Sequence, residues 1–400
     1  MNASRRRFLT VTTSTTALSA GAGCTSLLDE TSDEKRDADE GNGGDGDRDT
    51  NESTSGLAPD DWPSFQRTAR NDGYSPSTAP TDEPTERWST TLSGTIDEQV
   101  AVVDGTVYAA TDDGIVHALD AASGDKQWTE SLEGGRSQCP CFVNGLVVVG
   151  TDTGELVALS ATDGTREWTA QLAGPVSGPT AAGGTVYVGT GEEPTAAAID
   201  AATGDELWST PLAVDADDYP AVDGAGVYVG AQDGWDGRVY ALEAADGSDR
   251  WEYDGTRMQP PTVAESGVLA PFSTIEVLPR DDGSRRQIGI TGEVLASPAA
   301  TPDLTVYGTD LGFVGAVSHE RDGSDAGWGR SVGQYAISAP AVTDAAVYVT
   351  MIGPELFALD VEVGTVLWSR SLEGTTATAP TVADGAVFVG TDEGRLVALE

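Results

Sequence analysis

A pair of closely spaced cysteines is the first candidate for chemistry in this chain of 400 residues. Cys139 and Cys141 flank Pro140, and side chains two positions apart on a strand point to the same side of it. A redox pair is one interpretation, although two positions is an awkward spacing for a disulfide bond. The other is a pair of inert, buried thiols, because free cysteine is among the most buried residue types.

The histidines and the clustered acidic residues do not indicate a metal site. His117 and His319 are the only histidines and lie far apart in the chain, whereas metal ligands must converge on one point. The acidic run Asp215–Asp218 could bind a cation at the mouth of a channel, but it also fits a generally acidic surface. We therefore predict no metal ligands and no catalytic residues.

The elements that must position these residues belong to a repeat. From Trp88 onward, tryptophan recurs at spacings of 40, 40, 40, 43, 77 and 40 residues. Each unit contains four short apolar segments, A to D, separated by turn sequences such as Asp104–Gly105 and Asn144–Gly145, which supply the positive φ angles of tight hairpins. A period near forty residues made of short strands predicts a β-propeller.

The strand count predicts how the ring closes. There are eight A, B and C segments, but only seven D segments follow them, and the eighth, Glu86–Leu92, stands before the first unit. If this segment pairs with the last C strand, no sheet edge is left open. We predict an all-β fold, an eight-bladed propeller of four-stranded antiparallel blades over residues 85–400.

The repeat resembles the PQQ-like repeat family. The best matches to the "GxxxW" end of its repeat unit are Gly124–Trp128, Gly164–Trp168, Gly204–Trp208 and Gly364–Trp368. Asp61–Pro76 is similar to the leader that crosses to the ring in this superfamily. The family includes quinone-dependent dehydrogenases and non-catalytic BamB-type lipoproteins. The resemblance implies that the recurring tryptophans wedge between blades, a structural task, rather than stack on a quinone.

The same resemblance defines what a dehydrogenase would need. Adjacent cysteines forming a disulfide, a calcium site with acidic and amide ligands, and an aspartate base are implied for that class. This chain has no adjacent cysteines and no motif for c-type haem. No cofactor is predicted, and PQQ with calcium is expected only if the chain is a divergent quinoprotein dehydrogenase, which is the alternative interpretation.

Residues 1–60 contain no propeller signature. Arg5, Arg6, Phe8 and Leu9 resemble the twin-arginine export motif, and "GAGC" ending at Cys24 resembles a lipoprotein cleavage site, although Gly21 stands where Leu is usual. We expect residues 1–24 to be an export signal, residues 25–60 an acidic disordered linker, and residues 61–84 the leader. The expected location is the outer face of the cell membrane, with lipid on Cys24 as the anchor.

Charge restricts the partners. The chain has 65 acidic and 22 basic residues, a formal net charge of -43, and Lys35 and Lys126 are its only lysines. Such charge repels phosphate groups, so nucleic acid is not an expected partner. Acidity spread along the whole chain resembles that of proteins from salt-loving archaea, and an ordinary acidic secreted protein is the alternative.

The loops where the repeat breaks are the candidate binding surface. Blades 1, 2 and 8 have short, plain B–C turns ("TDDG", "TDTG" and "TDEG"), whereas those of blades 4 to 7 read "AQDGWDG", "PFSTI", "TDLGF" and "TMIGP". B–C turns share one face of the ring with D–A loops. Aromatic and methionine side chains on that face suit recognition of a protein or small ligand by a monomeric propeller, although they could also fold over the blade ends. The candidate residues are Trp235, Arg257, Met258, Phe272, Tyr335 and Met351.

Overall fold

The fold is described by a computed structural model that covers residues 57–135, 138–216, 218–281, 285–319, 327–334 and 337–400. Tyr335, Cys24 and the rest of the predicted export signal lie outside these residues. The described chain forms eight four-stranded antiparallel sheets. It contains no helix of the length and apolar character needed to cross a membrane. The predicted eight-bladed propeller is confirmed.

Each blade is built from strands A to D, counted outward from the central axis. Strand β1 (Glu86–Thr91) precedes blade 1. Blade 1 comprises β2 (Ala101–Val103), β3 (Thr106–Ala110), β4 (Ile115–Asp120) and β5 (Lys126–Ser131). Blade 2 comprises β6 (Cys141–Val143), β7 (Leu146–Gly150), β8 (Glu155–Ser160) and β9 (Arg166–Gln171). Blade 3 comprises β10 (Thr180–Ala182), β11 (Thr185–Thr190), β12 (Thr195–Asp200) and β13 (Glu206–Pro211). Blade 4 comprises β14 (Ala221–Asp223), β15 (Gly226–Asp233), β16 (Asp236–Glu243) and β17 (Asp249–Thr256).

The remaining four blades follow in the same way. Blade 5 comprises β18 (Thr262–Ala264), β19 (Gly267–Pro271), β20 (Ile275–Leu278) and β21 (Arg286–Ile288). Blade 6 comprises β22 (Ala299–Ala300), β23 (Leu304–Gly308), β24 (Phe313–Ser318) and β25 (Gly327–Ser331). Blade 7 comprises β26 (Ala341–Val342), β27 (Ala346–Met351), β28 (Glu355–Asp360) and β29 (Val366–Ser371). Blade 8 comprises β30 (Thr381–Ala383), β31 (Ala386–Gly390) and β32 (Arg395–Leu399), with β1 as its outer strand.

The ring closes through β1, as the strand count predicts. Strand β1 pairs antiparallel with β32, with Trp88 opposite Ala398 and Thr91 opposite Arg395. The pairing continues past the strand ends, where Thr85 and Glu400 exchange two backbone hydrogen bonds of 2.7 and 2.9 Å. Because β1 covers the outer edge of β32, blade 8 becomes a complete four-stranded sheet.

The recurring tryptophans join neighbouring blades. Each of the seven donates its indole Nε1–H to a backbone carbonyl at 2.7 to 3.0 Å, in the following blade for six of them. The ring also packs on the glycine of that blade's C–D turn, where a Cβ on Gly164, for example, would lie 2.6 Å from Trp128. This contact, together with a φ of +74° at Gly164, explains why the repeat has glycine four residues before the next tryptophan. The structural role of the tryptophans is confirmed.

Residues 57–85, which contain the predicted leader and are called the leader from here on, bond to the inner strands close to their A–B turns. Six inner strands donate a backbone N–H to it: Val102 to Trp62, Phe142 to Pro63, Val222 to Ala69, Val263 to Arg70, Ala300 to Asp72 and Val342 to Gly73. It also completes blade 8, which has no C–D turn, because Pro80 O accepts from the indole of Trp368. The leader therefore acts as a brace across the ring.

Deletion of Glu86–Leu92 tests the closure. We expect a markedly lower melting temperature and self-association, because the edge of β32 becomes exposed and the loss of a buried tryptophan such as Trp88 alone costs about 3–5 kcal/mol. Thermal unfolding followed by circular dichroism, with size-exclusion chromatography, measures both. Deletion of Glu34–Glu40, the same length within the predicted acidic linker, is the control, and equal stability of the two variants would contradict the closure.

A pair of glycine substitutions in blade 2 tests the tryptophan contact. Gly164 and Gly145 both adopt positive φ angles, but only a Cβ on Gly164 would meet a tryptophan ring, since nothing lies within 4 Å of one on Gly145. We expect Gly164→Ala to lower the free energy of unfolding by about 1–3 kcal/mol more than Gly145→Ala. Denaturant unfolding measures the difference, and equal losses would show that the backbone angle alone demands glycine.

Candidate functional site

Blade 4 carries a β-hairpin that extends beyond its neighbours on the face formed by B–C turns and D–A loops. Strands β15 and β16 are eight residues each, whereas the B and C strands of the other blades have four to six. The turn between them is Gly234–Trp235, and Gly234 takes the φ of +63° that such a two-residue turn needs at its first position. The extra ladder pairs, up to Asp233 opposite Asp236, make this projection part of a sheet rather than a loose loop.

Trp235 is presented to solvent on this hairpin. Its side chain is 59% exposed, the highest value among the large apolar residues that are described. The guanidinium of Arg257 lies 3.9 Å from the centre of the indole ring, a cation–π contact, and the backbone N–H of Arg257 donates to Trp235 O at 3.0 Å. Arg257 therefore covers one face of the indole ring and restrains its orientation.

Met258 and Phe272 support this surface from below. They are 1% and 2% exposed and pack in one core cluster between blades 4 and 5. The Met258 N–H donates to Gln232 Oε1 at 2.8 Å, and a Cβ on Gly255 would lie 2.4 Å from the Phe272 ring. The interpretation that these side chains fold over the blade ends holds for both, and neither forms surface for a partner.

A chain of polar contacts continues from Arg257 to blade 6. Arg257 Nη1 forms an ion pair with Glu293 Oε2 at 3.1 Å. The Glu293 N–H donates to Asp310 Oδ1 at 2.8 Å, and Asp310 precedes Leu311, whose side chain is 55% exposed. Trp235, Arg257, Glu293, Asp310 and Leu311 thus form one ridge across blades 4 to 6, called here the blade 4–6 ridge.

Sequence reasoning missed Glu293, Asp310 and Leu311, although a signal for Asp310 is present in the repeat. In the "TDxG" turns, Asp112 and Asp392 accept the backbone N–H of Thr95 and Thr375 in the adjoining D–A loop. Asp310 makes the same contact to Glu293, so its position could have been read from the repeat. The ion pair between Glu293 and Arg257 joins different units and has no local signature.

The other candidate residues are not part of this ridge. Met351 is half-buried on blade 7, where it lies against Gly333 and forms a bridge with Ile337. Asp215, at the start of the acidic run, is exposed, and Asp217 is outside the described residues. His117 is buried, and desolvation lowers its pKa to about 4, so it is neutral at pH 7.

The two cysteines are buried and not bonded to each other. Cys139 packs with Phe65 of the leader and Tyr219, whose hydroxyl accepts the Cys139 N–H at 2.9 Å and donates to Glu98 Oε2 at 3.0 Å. Burial raises the pKa of Cys141 to about 12 and that of Cys139 well above its ordinary value. Both thiols are protonated at pH 7, which favours the inert interpretation.

Comparison with known proteins agrees with the repeat signature and the eight-bladed geometry. A family model described as outer membrane protein assembly factor BamB matches residues 79–176, 172–287 and 312–400, well over half of the chain. The chain belongs to this BamB-type PQQ-like repeat family. No curated protein matches it.

Solved structures of an alcohol dehydrogenase, of BamB and of a designed protein are similar in fold to this propeller. Quinohemoprotein alcohol dehydrogenase from Comamonas testosteroni is similar with a TM-score of 0.70 at 16% identity, covering 86% of this chain and 81% of that one. BamB from Moraxella catarrhalis is similar with a TM-score of 0.63 at 21% identity, covering 80% and 98%. The computationally designed Ika8 protein has a TM-score of 0.67 at 18% identity, covering 77% and 98%. At these identities the likeness shows the fold alone.

The described residues lack the adjacent cysteines that the resemblance implies for a quinoprotein dehydrogenase. Pro140 separates Cys139 from Cys141, so an adjacent-cysteine disulfide cannot form there. Of the residues that the structure describes, no three His, Cys, Asp or Glu side chains are grouped so as to hold a metal ion.

Thiol labelling tests the redox interpretation of the cysteine pair. At pH 8 we expect iodoacetamide to leave Cys139 and Cys141 of the native protein unlabelled, because the thiolate is the reactive form and burial disfavours it. Denaturation without reductant should label both, as followed by peptide mass spectrometry. If the denatured protein were labelled at these positions only after reduction, the pair would be a disulfide and the inert interpretation would be wrong.

Proposed function

We propose that this protein is a non-catalytic recognition propeller that works outside the cell, is held to the membrane by lipid on Cys24, and binds a protein partner through the blade 4–6 ridge. The observation that carries the proposal is the exposed indole of Trp235, held by Arg257 on an extended hairpin. Tryptophan and arginine are the side chains that most often dominate binding energy at protein interfaces.

The form of the surface favours a protein over a small molecule. Small ligands bind in concave pockets that bury most of their surface, whereas Trp235 and Leu311 project from turns. The ridge is also held in place before binding, because the ladder of β15 and β16 and the ion pair between Arg257 and Glu293 restrict it. A surface that is already ordered loses less conformational entropy when a partner binds.

Location and anchoring rest on the N-terminal sequence and on family membership. Arg5, Arg6 and Cys24 stand where an export signal and a lipidation site require them. The matching family is described as an assembly factor of the outer membrane, a setting in which a tethered propeller would hold other proteins near a membrane. A quinoprotein dehydrogenase is the second candidate and is supported by shared fold alone.

Substitution of Trp235 tests the ridge. We expect Trp235→Ala to weaken partner binding at least about 30-fold, since truncation of such an anchor costs about 2 kcal/mol or more. Leu207→Ala is the matched control, because Leu207 is 55% exposed but lies on the outer strand of blade 3, away from the ridge. Quantitative recovery of envelope proteins on immobilised wild type and variants, with thermal unfolding to check folding, makes the comparison.

Two outcomes would contradict the proposed function. Equal recovery of envelope proteins on the Trp235→Ala and Leu207→Ala variants would show that the ridge does not bind the partner. Saturable binding of PQQ in the presence of calcium, with dye-linked alcohol oxidation, would instead identify a dehydrogenase.

A further inference from the structure

A cavity of about 510 Å³ lies on the opposite face of the ring, between the leader and the inner strands of blades 2 to 4. Its walls are the leader segment 57–69, Phe142 of blade 2, Ala181 and Ala182 of blade 3, and Val222 of blade 4. This volume falls within the range of about 300–1,000 Å³ that is usual for ligand-binding pockets in proteins. No residue of the blade 4–6 ridge lines this cavity.

The cavity exists because the leader bypasses blade 3. The leader pairs with blade 2 at Pro63 and next with blade 4 at Ala69, and between them Gln66 and Arg67 take positive φ angles of 50° and 71°. The guanidinium of Arg67 donates to the backbone oxygens of Pro59, Asp61 and Tyr74 at 2.9 to 3.2 Å, which holds this detour in place. The cavity is therefore formed before any ligand arrives.

Small residues on blade 3 enlarge the same space. The positions of Ala181 and Ala182 are occupied by Val102 and Val103 in blade 1 and by Phe142 and Val143 in blade 2. Ala181 and Ala182 are half-buried, whereas every other inner-strand residue except Phe142 is buried. The inner strand of blade 3 is therefore covered neither by the leader nor by large side chains of its own.

The backbone of Ala181 indicates what would occupy the cavity. In six blades the N–H at this position donates to a leader carbonyl, but the N–H of Ala181 is directed at the sulfur of Cys141, a weak acceptor. Among the described leader residues none accepts the N–H of Val382, the equivalent residue of blade 8, but Val382 is fully buried. An extended peptide could supply at blade 3 the carbonyl that the leader supplies elsewhere.

We propose that this cavity binds an extended peptide, which pairs with Ala181 as the leader pairs with the flanking blades and places one apolar side chain between Phe142 and Val222. Since the net charge of the chain is -43, a neutral or basic peptide is favoured over an acidic one. The occupant thus continues the row of backbone contacts that the leader makes on either side of blade 3.

The test uses the labelled peptide Lys-Thr-Leu-Thr-Lys and the matched peptide Lys-Thr-Ser-Thr-Lys with the full chain. Fluorescence anisotropy should show saturable binding of the leucine peptide and at least about tenfold weaker binding of the serine peptide, because only leucine gains from burial. Hydrogen exchange at Ala181 should slow when the leucine peptide binds, because a carbonyl replaces sulfur as the acceptor. No saturable binding, or equal binding of the two peptides, would overturn the proposal.

Substitutions that fill the cavity with larger side chains provide a protein variant to compare with wild type. The double substitution Ala181→Val and Ala182→Val installs the residues of blade 1, and we expect it to keep the fold and lose at least about tenfold in affinity for the leucine peptide. If it does not fold, Ala182→Val alone should show the same direction of change. Leu207→Ala should bind the peptide like wild type, because Leu207 lies on the outer strand of blade 3 and does not line the cavity. Unchanged binding by the filled variant, or a loss in Leu207→Ala, would place the peptide elsewhere and overturn the proposal.

Discussion

The hydrogen bond from a tryptophan indole of one blade to a carbonyl of the next unit sets the geometry on which the whole ring depends. The donor stands on an outer strand and the acceptor on a C–D turn, so each bond fixes the angle between two sheets. Packing of the ring on a turn glycine removes room for any side chain there. The same contact recurs from blade to blade, so one local interaction is repeated around the ring.

The candidate binding sites lie where individual blades depart from the regular repeat. In blades 1 and 8 the aspartate of the B–C turn only ties down the D–A loop that leads into the same blade. In blade 4 the hairpin is longer and presents Trp235, and in blade 3 small residues and a detour of the leader leave a cavity. Both features lie in the middle of the repeat array, on opposite faces of the ring. A regular scaffold makes such irregular sites possible, because the regular blades on either side hold them in place.

Prediction from sequence succeeded for features that depend on local pattern and failed where side chains meet across units. The period of the tryptophans and the displaced segment at Trp88 were sufficient for the blade count and the closure, since strand pairing follows alternation and turn chemistry. Met258 and Phe272 were assigned to a surface, but glycines at positions 230, 237 and 255 leave space that buries them. That space comes from paired strands and has no signature in a single segment.

The sequence by itself determined the fold class, the number of blades, the closing strand and the structural role of the tryptophans. It also identified Trp235 and Arg257 as candidate binding residues, but not the contact between them. The tertiary structure alone decided that Arg257 stacks on Trp235 and pairs with Glu293, that Cys139 and Cys141 are buried, and that the leader leaves blade 3 uncovered. The physical reason is range: turns and strands form from neighbouring residues, whereas stacking, burial and cavities depend on atoms brought together from distant units.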